Sequence, residues 1–379
     1  MQVLISSCGR FHSHQAAVEL YRRGALKLYF STYMERRLPS DKIRHIPLID
    51  TLHRGLRKIS IVRNMIPLNL LKKEFFDHLA QRYVDGCDVV HLHSALQPKT
   101  IQRAQSLGIP TIIDRGTAHP IYQNKVLGEE RARFAPTQPP IYRPDDIERQ
   151  LEEFEMADWV MVNSSYVRDT FVAQGFDSKK LLLLSQGVDI SAFRPVKKRD
   201  KVFRVLTVGL LSLQKGTHCL LQAFCELGFP DAELVLVGAP RPEMVPILAQ
   251  YEGSFTHIHG IPHEELYRTY SDASVFVLTS LNDGFPNVVI EAMACGVPVI
   301  ISENVGVRDV VRDGVDGFVI PIRDVGALKE RLMLFYESPD LCQQMGRTAR
   351  ERAKAFTWER FGDHLLQIYQ FILLSGKTG

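Results

Sequence analysis

Apolar residues in this chain gather into short, nearly unbroken runs at 3–5, 26–30, 89–92, 111–113, 160–162 and 181–184, separated by stretches with helical apolar spacing. Runs without period-two alternation predict strands buried on both faces, and strands alternating with helices predict a parallel sheet covered on each side. The pattern breaks at 187–195, and the polar, basic residues 196–201 that follow have the composition of an interdomain linker. A second series of apolar runs then opens at 205–208, 234–237, 255–258, 275–278, 297–301 and 318–320. The predicted class is α/β, with two doubly wound Rossmann-like domains at 1–190 and 202–355 joined by a linker at 191–201. Residues 357–373 regain a helical period after Thr357, an N-cap candidate, which predicts a last helix within 356–379. Tandem domains of this kind bind ligands in the cleft between them, at the carboxyl ends of their strands.

Composition narrows the class without changing it. At 379 residues the chain exceeds one typical core and suits two domains of middle size. An apolar fraction of 45% and a charged fraction of 23% exclude a disordered or collagenous chain, and a net charge of +3 gives no ground for a nucleic-acid partner. The six cysteines form no C-x-x-C pair and fall largely in apolar surroundings, so reduced thiols and a cytoplasmic location are expected. No apolar stretch reaches 18 residues without a charge, and the start of the chain lacks a basic, then apolar leader; neither export nor a membrane span is expected. One stretch is unusually basic: 42–73 holds Lys42, Arg44, Arg54, Arg57, Lys58, Arg63, Lys72 and Lys73 against Asp50 alone. With apolar residues interleaved, it is a candidate for peripheral contact with the inner face of an anionic membrane.

The richest chemistry lies at 283–299. The run 275–278 predicts a buried parallel strand, Asp283 and Gly284 the turn after it, and Pro286 an early position of the next helix. Free N–H groups and the positive dipole end of such a helix bind anions, so a diphosphate fits the turn. With Glu291 just over one turn into the helix, two carboxylates flank that anion, about 10 Å apart. A nucleotide sugar has the same layout, with ribose hydroxyls at one end and sugar hydroxyls at the other, and both ends need acceptors.

The stretch resembles the donor-site signature of the retaining glycosyltransferases of family 4, or group 1, which have the GT-B fold with a C-terminal crossover helix. Their pattern is Glu-Gly-Phe-Gly or Glu-Gly-Phe-Pro, followed by Glu-Ala-Met-Ala-x-Gly-x-Pro-Val. The resemblance implies that Glu291 holds the ribose and that Asp283 faces the donor sugar, one methylene shorter than the family's glutamate. It also implies donor contacts from Gly284, Phe285, Asn287 and Val288. Near Gly209 the family has Val-Gly-Arg-Leu and then Lys-Gly, with both cations on the diphosphate; Lys215 matches the lysine, whereas Leu210 stands at the arginine. Arg308 or Arg115 is a candidate to replace it. In the first half the resemblance is looser. It implies that His119, after the strand 111–113, approaches the donor sugar, and that Gly9 lies in a loop beside donor and acceptor, with Arg10 and His12 as polar neighbours. The last helix is expected to cross back onto the first domain.

The implied activity is that of a metal-independent, retaining hexosyltransferase. Its donor is a nucleotide-diphosphate sugar, its acceptor a glycan or a lipid-linked molecule, and its setting polysaccharide or cell-envelope synthesis; no cofactor is expected. Alternatives are a GT-B scaffold without turnover and a nucleotide-sugar 2-epimerase. Other classes lack their motifs. Lys215 precedes Gly216, which is not the order of a P-loop, and no G-x-G-x-x-G fingerprint follows a strand. Glu148, Glu152, Glu153 and Glu155 look like an exposed helix face, with no pair spaced for glycoside hydrolysis. Neither a D-x-D motif nor a His or Cys cluster at metal-ligand spacing occurs, so no metal ligands are expected.

Overall fold

Every residue of Val3–Ser7 (β1), Val89–His93 (β4) and Thr111–Arg115 (β5) is buried, as unbroken apolar runs require. The computed structural model describes residues 1–9, 11–47, 51, 68–93 and 96–375. With Leu26–Ser31 (β2), Ile43–His45 (β3), Trp159–Val162 (β6) and Leu181–Leu183 (β7), these strands form a parallel sheet ordered β3-β2-β1-β4-β5-β6-β7. A second parallel sheet, ordered β10-β9-β8-β11-β12-β13, contains Phe203–Val208 (β8), Ala232–Val237 (β9), Thr256–Ile258 (β10), Val275–Leu278 (β11), Val299–Ser302 (β12) and Gly317–Ile320 (β13). Helices cover both sheets, giving two Rossmann-like α/β units. Both strand orders reverse once, between β1 and β4 and between β8 and β11. Such reversals open a crevice at the strand ends.

The last helix, Trp358–Ser375, joins the first unit. Its Phe361, Leu365, Tyr369 and Ile372, spaced as one helical stripe, are buried with Val3, Ile5, Leu20 and Tyr29. Arg23 anchors the outer side through Asp363 at 2.8 Å. Before this helix, Val188 donates its N–H to the Phe356 carbonyl at 2.9 Å, so the chain crosses between units along two adjacent segments.

Two sequence expectations change here. Strand β3 lies within the basic stretch and has no apolar run: only Ile43 is buried, while Arg44 is exposed. Short, charged edge strands are common because they discourage pairing with another chain. Of the cations in 42–73, Arg54, Arg57, Lys58 and Arg63 lie outside the described residues, and with them half of the charge behind the membrane contact expected there. Glu153 also differs from the expected exposed face. It is buried and accepts the Gln97 N–H at 2.6 Å, and burial pushes its carboxyl up to about 7. Among the described residues no helix is long and apolar enough to cross a membrane.

Candidate active site

The crevice of the second sheet lies between the ends of β8 and β11, and each strand delivers one charged side chain to it. After β8, Gly216 adopts φ +67°, and a Cβ there would stand 2.0 Å from the Thr279 carbonyl oxygen at the end of β11. Only glycine fits this approach. It draws the loop across, so that Lys215 Nζ forms an ion pair with Asp283 Oδ2. Backbone and amide contacts stitch the same two loops: Leu281 N–H donates to the Gln214 carbonyl at 2.8 Å, and the Gln214 amide to the Asn282 carbonyl at 2.9 Å.

Asp283 is held at both ends of its peptide. Its N–H donates to the Asn304 carbonyl at 3.0 Å, and its carbonyl accepts the Gly306 N–H at 2.8 Å. The helix that follows is Asn287–Ala294, with Pro286 as its N-cap, one position later than the sequence suggests. Proline still suits this junction, because its extended ψ of 108° turns the chain into the helix and no donor is lost. The first N–H groups, from Asn287 and Val288, have no partner one turn back, and the Asn287 Oδ1 is buried without a hydrogen bond. Phe285 belongs to the core with Val289 and Met293 and anchors the turn; burying such a ring contributes about 1.5–3 kcal/mol. Val288 packs against the same cluster.

Glu291 lies one turn further, 6% exposed, and accepts from Tyr270 Oη at 3.0 Å and His263 Nε2 at 3.1 Å. Tyr270 is fully buried, and burial followed by the Glu291 charge holds its phenol well above the usual range. It therefore donates a fixed hydrogen bond. His263 is largely exposed, so a ligand hydroxyl can take its place on Oε1. The sequence offered no sign of either partner, since both come from the segment before β11.

Several sequence candidates sit elsewhere. His119 does not face the cleft: it is 3% exposed, stacks edge-on against the core ring of Phe171 at 4.9 Å, and takes Thr170 Oγ1 on its backbone N–H at 3.0 Å. Burial, reinforced by Arg115, pushes its imidazole down to about 4. His119 is the N-cap residue of the helix Pro120–Phe134, and its side chain makes no cap hydrogen bond. Gly209 is committed to packing: its N–H donates to the Val237 carbonyl at 2.9 Å, and its own carbonyl is so close to Gly238 that a Cβ there would lie 1.9 Å away. Leu210 is 47% exposed. Arg115 is buried and donates to Gln150 at 2.9 Å; Arg308 reaches Asp169 at 3.3 Å. Both candidate replacements for the missing arginine are thus already engaged. Gly9 has φ +150° and lies beside Phe11, whose ring stacks on His93 at 4.0 Å. Arg10 lies outside the described residues.

The units meet at this turn. A Cβ on Gly284 would stand 2.0 Å from the Gly116 carbonyl oxygen of the first unit. Tyr166 Oη donates to Asn282 Oδ1 at 2.8 Å, and Ser165 N–H to Asp309 Oδ2 at 2.6 Å. The first sheet's own crevice presents His12, His91 and His93 around Asp114. Burial opposes charge on Asp114, but the neighbouring imidazoles, His12 first, hold its carboxyl well below the usual range. No spacing in the sequence pointed to this cluster.

Residues 189–352 match the family model of glycosyl transferases group 1. The chain is 26% identical over 317 residues to D-inositol 3-phosphate glycosyltransferase 1 of Catenulispora acidiphila, covering 76% of this chain and 73% of that protein. It is 30% identical over 200 residues to the putative glycosyltransferase EpsD of Bacillus subtilis, where it spans about half of the relative, 52%. Among solved structures, sucrose-phosphate synthase from Thermosynechococcus elongatus superposes with a TM-score of 0.72 at 22% identity, covering 99% of this chain and 100% of that one. Anabaena Alr3699/HepE in complex with UDP does so at 0.71 and 15% identity, over 98% and 100%. The signature turn and the family model agree over the second unit, where residues 189–352 match the group 1 glycosyl transferases, and the two-unit architecture is that of the GT-B fold.

Proposed function

We propose that the protein is a retaining glycosyltransferase that moves a sugar from a nucleotide-diphosphate donor to an acceptor hydroxyl in glycan or cell-envelope synthesis. The observation that carries this reading is the convergence of Lys215, Asp283 and the Asn287–Ala294 helix start on the β8/β11 switch point, with Glu291 one turn beyond. In the free protein Lys215 and Asp283 neutralise each other. Donor binding re-partners both: the ammonium turns to the diphosphate and the carboxylate accepts from a sugar hydroxyl. Glu291 accepts from the ribose.

The sugar C1–oxygen bond to the diphosphate breaks while C1 bonds to the acceptor oxygen on the same face. The acceptor proton passes to the departing diphosphate oxygen. Lys215 and the N–H groups of Gly284, Phe285, Asn287 and Val288 stabilise the charge that develops there, so the diphosphate itself needs no metal. Contact of Gly284 with Gly116 supports a closed form that excludes water and limits donor hydrolysis. The acceptor, a glycan or a lipid-linked molecule, enters from the first unit, on the cytoplasmic side of the membrane.

The test is a thermal-shift panel of UDP, GDP, ADP, dTDP and CMP on the wild type and on Glu291→Ala. A ligand at 100 times its dissociation constant stabilises by about 2.7 kcal/mol. One nucleoside diphosphate is expected to raise the melting temperature, and Glu291→Ala to lose that shift; no shift with any of them overturns the donor site in favour of a scaffold without turnover.

Leu210→Arg supplies the family's missing cation beside the diphosphate. A charge-assisted hydrogen bond contributes about 1.5–3 kcal/mol, so titration calorimetry is expected to show nucleoside diphosphate binding at least tenfold tighter, by about 1.4 kcal/mol or more. Unchanged affinity would assign the role to another residue.

A further inference from the structure

The two switch points hold different chemistry. In the first sheet, side chains two apart on β4 share a face, which aligns His91 with His93. The β4–β5 register sets His93 opposite Asp114, and His12 enters from the loop after β1. Asp114 Oδ2 thereby lies 2.5 Å from His12 Nε2, 3.3 Å from His91 Nε2 and 3.8 Å from His93 Nδ1. The His93 side chain is 6% exposed, and its Nδ1 is buried with no hydrogen-bond partner although it faces a carboxylate. An orphaned, buried nitrogen beside an anionic oxygen is the arrangement a metal ion would satisfy.

We propose that His12, His93 and Asp114 bind a first-row divalent cation of the zinc class. Two imidazoles and a carboxylate are a zinc-type donor set, with bonds of about 2.0–2.2 Å and hence donor atoms about 3.3 Å apart in a tetrahedron. The three donor atoms already lie within 4.8 Å of one another. Only small rotations separate this arrangement from the bound one: the His12–Asp114 contact opens and His93 closes in. Water completes the fourth position.

The surroundings supply the outer support that metal ligands use. The Gln186 amide donates to His12 Nδ1 at 3.2 Å; turned round, it accepts the Nδ1 proton when Nε2 binds metal. His91, bridging Asp114 and Tyr369 Oη at 2.6 Å, fixes the carboxylate and links it to the last helix. The ion therefore ties the β1 loop, two central strands and the crossover helix together. The ion is assigned a structural part, apart from the Lys215–Asp283 pair in the other unit, so the inference does not depend on the proposed transfer reaction.

The test is cobalt(II) titration of the full chain after chelator treatment. Four-coordinate cobalt with nitrogen and oxygen ligands shows visible d–d bands but no near-ultraviolet thiolate band, which separates this site from the six cysteines. One equivalent is expected to bind and to be displaced by zinc. His12→Ala and His93→Gln are each expected to remove the bands, and Gln186→Leu to weaken binding tenfold to hundredfold. His12 sits on a loop, so its variant keeps the test open if a strand variant fails to fold, as circular dichroism will show. Absence of the bands in wild type, their persistence in His12→Ala, or a thiolate band in their place would overturn the assignment.

Discussion

Alanine at Lys215 or at Glu291 is expected to bring sugar transfer below detection while the fold stays intact. Lys215 is the cation that the β8 loop delivers to the crevice, pinned there by the approach of Gly216 to Thr279. Removing one donor aimed at developing charge costs about 10²–10³ in kcat, and Leu210 leaves no arginine at the neighbouring position to share the load. Glu291→Ala removes the proposed ribose acceptor and also leaves the fully buried Tyr270 hydroxyl unpaired, a penalty of about 1–3 kcal/mol. Glu291→Gln keeps an acceptor for Tyr270 and separates the two effects: transfer should fall with little change in melting temperature. Radiolabelled sugar transfer together with thermal melting reads both; wild-type turnover in either alanine variant would sink the site.

Gly284→Ala tests closure rather than chemistry. The added methyl keeps the Gly284 N–H but would lie 2.0 Å from the Gly116 carbonyl oxygen and 3.0 Å from Asn163 Oδ1, both in the first unit. The two units must then part at the reaction point. A displacement of about 1 Å between reacting groups costs roughly 10²-fold in rate, so transfer should fall about a hundredfold. Nucleoside diphosphate affinity, set within the second unit, should hold, as should the melting temperature. Small-angle scattering with donor bound is expected to report a more open particle than wild type. Full turnover in this variant would mean that the contact plays no part in catalysis.

Much of this arrangement was legible along the chain, for a local reason. Unbroken apolar runs mark strands covered on both faces, and the β11–turn–helix unit from 275 to 294 is contiguous, so the closeness of Asp283 and Glu291 is local in sequence, with helix geometry placing Glu291 one turn in. The two-domain GT-B class followed from the same alternation and from the resemblance of the 283–299 turn to its family. Edge strand β3 escaped because three residues with one buried side chain have no periodicity to read. Glu153 looked like one of several surface acids; it is buried because its helix presents that position to the Gln97 amide.

What the tertiary structure alone decided is which loops meet. His119 and His12 looked alike as polar residues following first-half strands, yet one packs against the core ring of Phe171 while the other reaches Asp114 from a strand two places away in the sheet. Lys215 meets Asp283 for the same reason: β8 and β11 are neighbours only because the sheet order reverses between them. Spacing along a chain measures helical and strand periods. It carries no measure of strand order or register, and those set the contacts between residues 68 or 102 positions apart that make up both crevices.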